Sequence, residues 1–180
     1  MRRPTPTIRL HTALLAACLL LPALAGAQGG GTDRRDTGDA WVDARLADID
    51  SYAATYRDAF VDEMARYHRA PRELVRDLLA RPGWTPGDVY FACGLARHAG
   101  RPCRAAADLK SSDPVPDRAA LARELGVAPG SPGFHAFKHG IVATYARWAR
   151  PIRVDAELAP DFPKHPRDAA KPVDAPSRDD

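Results

Sequence analysis

Residues 82–103, PGWTPGDVYFACGLARHAGRPC, constrain this chain more than any other stretch. Thr85-Pro86 has the form of a helix start, with a hydroxyl placed to accept from free N–H groups and proline at the first helical position. Asp88 in the first turn suits the positive end of the helix dipole. Val89, Tyr90, Ala92, Cys93 and Ala96 recur at helical spacing, and Gly100 is placed to end the helix in the left-handed conformation. Arg101-Pro102 opens another helix at once, so the chain must double back. Cys93 and Cys103 then flank the reversal, within reach of each other.

The first 27 residues read as an export signal. Arg2, Arg3 and Arg9 form a positive start, 13–21 is an apolar run interrupted only by Cys18, and Ala23-Leu24-Ala25 and Ala25-Gly26-Ala27 fit small-x-small cleavage sites. The run is shorter than the roughly 20 residues of a permanent span. Leu15-Ala16-Ala17-Cys18 also has lipobox form, but Leu19-Leu20-Leu21 carries the apolar run past the cysteine. No stable membrane anchor is therefore expected unless Cys18 is lipidated. Removing this leader takes away three arginines and no acids. The formal charge of +3 falls to balance, with 23 basic against 23 acidic side chains. A neutral chain has no general attraction to nucleic acid or anionic lipid. Two cysteines also remain, and an even pair in an oxidising compartment is most simply a Cys93–Cys103 disulfide. Its short loop would contribute about 2–3 kcal/mol.

After a flexible lead-in at 28–38, a helical domain is expected over 39–150. Val42, Leu46, Ile49, Ala53, Tyr56, Phe60 and Met64 step by three and four, and no proline or glycine falls between 39 and 69. One long helix is the simplest reading, bent near Ser51. Pro71 starts a second helix with Leu74, Val75, Leu78 and Leu79 on one face. A short alanine-rich helix follows Pro102, another runs over 117–125, and Ser131-Pro132 repeats the cap-then-proline start. The last helix carries Phe134, Phe137, Ile141, Tyr145 and Trp148 along its buried side. With no strand pattern, the class is all-α, a compact bundle of five to seven helices. Prolines and mixed charge after Pro151 mark 151–180 as a disordered tail.

Candidate chemistry is sparse. His135 and His139 are four apart in HAFKH, which is suitable spacing for two metal ligands on one helix face. A zincin would have glutamate where Ala136 stands, and the third ligand is not evident, with His68 and His98 the nearest candidates. Cys93-x9-Cys103 is neither a redox CxxC nor a haem-attachment motif. No glycine-rich phosphate loop follows a strand, so no cofactor is expected. Glu63, Glu73 and Glu124, the acids relevant to a glycan-cutting enzyme, each sit beside arginine on a helix and read as solvated ion pairs. Residues 119–138 resemble a helix-turn-helix. Ser131-Pro132 interrupts the would-be recognition helix, and Lys138 is its only basic group, so a packing motif is expected rather than a nucleic-acid reader.

PGDVYFACGLA followed by LGVAPGSPGFHAFKHG is similar to segments of small secreted bacterial helical proteins of unassigned function. In those, a Pro-Gly-Asp-Val helix precedes a Leu-Gly-Ile/Val-x-Pro-Gly-Ser-x-x-Phe-His segment. The similarity spans about 74–140 and implies an exported helical domain. It marks Asp88, Tyr90, Phe134, His135 and Lys138 as candidate binding positions. The combined expectation is a periplasmic or secreted bacterial binding or accessory protein, non-catalytic, whose partner is an envelope protein or a small ligand. The alternatives are a metal-binding protein using His135 and His139, and an enzyme acting on the cell wall.

Overall fold

The computed structural model describes residues 34–168. The expected export signal, most of the expected lead-in and residues beyond 168 lie outside them. Seven helices are found among the described residues: α1 (Ala40–Thr55), α2 (Arg57–Tyr67), α3 (Arg72–Ala80), α4 (Pro86–His98), α5 (Cys103–Lys110), α6 (Arg118–Glu124) and α7 (Pro132–Arg147). The all-α class is as expected.

The bundle is organised around α4. Every residue from Gly87 to Ala96 is buried, and α1, α3, α5, α6 and α7 all pack against it. A helix apolar all round has to be wrapped by others. Its start is a reciprocal capping box: Asp88 N–H donates to Thr85 Oγ1 at 3.2 Å, and Thr85 N–H donates to Asp88 Oδ2 at 3.1 Å. Gly100, at φ +68°, ends the turn that follows. Cys93 and Cys103 then meet at disulfide distance, with Cα atoms 4.3 Å apart and both side chains buried.

Where α4 crosses α7, the absence of a side chain at Gly94 is what permits the contact. A Cβ there would lie 2.6 Å from Cε2 of Phe137, a ring itself only 1% exposed. Gly94→Val is therefore expected to destabilise the fold by about 1–3 kcal/mol through overpacking. Urea unfolding checks this, and an unchanged midpoint would show that the crossing has slack.

The expected lead-in is not flexible throughout, since Thr37 is fully buried and its N–H donates to Asp43 Oδ1 at 3.0 Å, and two larger expectations about the fold need correction. The single helix over 39–69 is two helices, broken at Tyr56 (φ −119°, ψ 54°). No proline or glycine causes the break. A straight helix would carry Tyr56 on the buried stripe, but it is 56% exposed, and the change of direction turns Phe60, Val61, Glu63 and Met64 inward instead. Tertiary packing overrides local periodicity here.

The second correction concerns 151–168, which is packed rather than disordered. Ile152, Val154, Leu158 and Ala159 are buried in the common core. The indole N–H of Trp41 donates to Arg153 O at 2.9 Å. An isolated parallel bridge joins Val154 to Arg167, through Val154 N–H to Pro166 O (2.9 Å) and Asp168 N–H to Val154 O (2.8 Å). Composition took the prolines and mixed charge of this segment as marks of disorder, whereas several of its acids are held by cations of the domain. The part of the tail reading that covers 169–180 lies outside the described residues.

Candidate metal centre

α7 presents Phe134, Phe137, Ile141 and Tyr145 to the core, which leaves His135 and His139 together on its other face. The segment 151–168 returns across that face. Leu158 anchors it in the core, and an Asp155 side chain accepting from Leu158 N–H at 3.0 Å makes the local turn. Glu157 and Asp161 thereby project onto the two histidines.

The resulting geometry is tight. His135 Nε2 and His139 Nε2 are 3.2 Å apart, and each is 2.9 Å from Oδ2 of Asp161. On the far side of His135, Nδ1 is 2.6 Å from Glu157 Oε1. A proton held between Nδ1 and Glu157 leaves the Nε2 lone pair directed at His139 and Asp161. Such an outer carboxylate, fixing tautomer and ring orientation, is the usual companion of a metal-bound imidazole. Glu157, joined by Asp161 and partly opposed by desolvation, raises the His135 pKa. His139 and then His135 lower that of Asp161. Phe162 lies against the His139 ring, with centroids 4.7 Å apart.

Lys138 sits between the two histidines in sequence but points the other way. Its side chain is fully buried, and Nζ donates to Asp39 Oδ2 (2.9 Å), Asp155 Oδ2 (2.5 Å) and Glu157 Oε2 (2.6 Å). Desolvation pulls its pKa down, and the three carboxylates more than offset this, raising it overall. Three acids gathered this closely would otherwise resemble a cation site, and here the ammonium is the cation. Glu157 bridges the two clusters, one oxygen on Lys138 and the other on His135.

The other expected binding positions do not join this site. Asp88 caps α4 and pairs with Arg118 Nε at 3.0 Å and Lys110 Nζ at 3.6 Å. Tyr90 is wholly buried, its hydroxyl 2.8 Å from Thr144 Oγ1. Phe134 is core. Lys138, enclosed by its three acids, is not available to a ligand either. Of the five, only His135 (38% side-chain exposure) faces solvent near potential ligands. His68 and His98, considered as third ligands, lie in the wall of a neighbouring cavity, and the position is filled by Asp161. Sequence reasoning missed Asp161 and Glu157 because both fall in the stretch taken as disordered. One signal was present: they are four residues apart, as His135 and His139 are.

Glu63 is not solvated, contrary to expectation. It is 3% exposed, accepts from Thr144 Oγ1 at 2.8 Å and Arg147 Nε at 3.0 Å, and is also paired with Arg147 Nη2. Burial pushes its pKa up, but Arg147, His68 and Thr144 win and hold it at about 2. A carboxyl so firmly ionised is no proton donor for glycosidic cleavage, which needs a raised pKa. Glu73 and Glu124 are exposed on separate helices.

Comparison with family models, with curated proteins and with solved structures yields no match for this chain. Among the described residues, no helix is long and apolar enough to cross a membrane.

Proposed function

We propose that this protein is an exported bacterial binding protein that holds a divalent transition-metal ion, zinc being the best chemical match, through His135, His139 and Asp161. The observation that carries the reading is the meeting of two imidazole nitrogens and one carboxylate oxygen within 3.2 Å, with Glu157 behind His135. A tetrahedral ion with bonds of about 2.0–2.1 Å keeps its ligands roughly 3.3 Å apart, so a small outward shift of these side chains admits it. Two imidazoles and a carboxylate suit zinc and its first-row neighbours better than calcium or magnesium, which prefer all-oxygen sites. Three protein ligands leave a fourth position for water or a bound molecule. Export is supported by the leader-like first 27 residues and by the paired, buried cysteines.

Calorimetric titration of chelator-stripped protein carrying no histidine tag tests the metal site. One equivalent of zinc is expected to bind. The His135→Ala, His139→Ala double variant should take up none, and Glu157→Gln should bind about 10–100-fold more weakly. Wild-type protein that takes up no zinc, or a double variant that binds it as well as wild type, rules the reading out.

A further inference from the structure

A cavity of about 560 Å³ opens beside the histidine pair, between the ends of α2 and α4 and the outer face of α7. Its floor is small: Ala136, Gly140, Ala143 and Ala146 leave α7 almost bare, and a Cβ at Gly140 would meet nothing within 4 Å. Tyr67 and Phe162 supply flat apolar walls. Every ionisable side chain on the lining other than the Tyr67 phenol is basic: Arg97, Arg147, His68, His98, His139 and His165. No carboxylate lines it.

The two arginines differ. Arg147 spends its charge on Glu63 beneath the cavity wall and lies 3.8 Å over the Tyr67 ring. Arg97, exposed at the end of α4, forms no ion pair among the described residues. Its field is felt nearby: desolvation and then Arg97 depress His98, and both arginines act on His68 in the same sense after burial and Glu63. His68, 4% exposed, adds its ring to the cavity wall, with Nε2 turned to Glu63 Oε1 at 3.7 Å and Nδ1 turned toward Gly94 of α4.

We propose that this cavity binds a small organic carboxylate, its charged group held by Arg97 and its flat apolar body lying on the bare face of α7 between Tyr67 and Phe162. The volume falls in the range of small-molecule sites, and the mixture of apolar lining with a few polar groups at one end is typical of them. A neutral molecule would leave Arg97 unmatched, and an inorganic anion would leave the apolar floor wet. The site goes beyond the metal centre and does not depend on it.

Chelator-treated, metal-free protein titrated with benzoate and with benzamide, its neutral twin, isolates the cavity from the metal. Benzoate is expected to bind at least about tenfold more tightly than benzamide, since a charge-assisted contact is lost in the amide. Arg97→Gln, a change at an exposed position, should bring benzoate down to the benzamide level with the melting temperature unchanged. Gly140→Leu should fill the floor and abolish binding of both. Failure of wild-type protein to bind benzoate, equal binding of the two probes, or benzoate binding unaltered in Arg97→Gln or Gly140→Leu each overturns the proposal. None of these results bears on zinc uptake, which is read separately.

Discussion

Lys138→Met is expected to destabilise the protein by about 3–5 kcal/mol and to release residues 151–168 from the bundle. Methionine nearly matches the lysine in length, so the loss is one of charge and hydrogen bonding more than of volume. Removing the ammonium leaves Asp39, Asp155 and Glu157 facing one another with no cation between them. Two of those acids belong to the returning segment, and repulsion there opposes the burial of Ile152, Val154, Leu158 and Ala159. Amide hydrogen exchange should show protection lost first at Val154 and Asp168, the donors of the bridge hydrogen bonds. Urea denaturation gives the total. A variant within 1 kcal/mol of wild type, still protected at the bridge, would mean that the lysine is dispensable.

Glu63→Gln should have an effect of similar size, about 3 kcal/mol at neutral pH, because the buried guanidinium contacts of Arg147 lose their counter-charge. The variant also predicts a pH signature. In wild type the folded pKa of Glu63 is held at about 2, below its ordinary 4.5. The unfolded chain therefore takes up this proton first as pH falls. The stabilisation from Glu63 is complete above pH about 4.5 and fades as pH approaches 2. Glu157, Asp161 and Asp48 have lowered values too and add to the acid loss in both proteins. The difference between wild type and Glu63→Gln removes that shared background. It should shrink steadily from pH 5 to pH 2 in urea unfolding series, and a difference constant across that range would place Glu63 outside the linkage.

How much of this could be read from residues alone varied with the kind of signal. α4 was legible end to end. Thr85 and Pro86 at its start, Gly100 after its end and Val89, Tyr90, Ala92, Cys93 and Ala96 at helical spacing between them mark one helix, and the structure places α4 at the centre of the bundle. The paired cysteines followed from where the chain had to turn. The break at Tyr56 left no trace in sequence because no residue there resists a helix, and it comes from the demand to bury Phe60, Glu63 and Met64 together. The segment after Pro151 was misread for a different reason. Rules of composition treat each charge as solvated, and they cannot see that Lys138 and His135, on a helix more than ten residues earlier, neutralise Asp155, Glu157 and Asp161. The same blindness hid half of the candidate metal centre. The histidines announced themselves by spacing, and their acidic partners were set aside with the tail.

The Val154–Arg167 bridge has a further consequence. It closes a loop whose members include Asp155, Glu157 and Asp161, so one short pairing fastens all three acids to α7 as a single clasp. Where a gene is trimmed for expression then decides which protein is obtained. An end placed at residue 150, the natural choice from composition, keeps all seven helices yet discards the clasp, and the histidines left behind would be mistaken for ordinary surface residues.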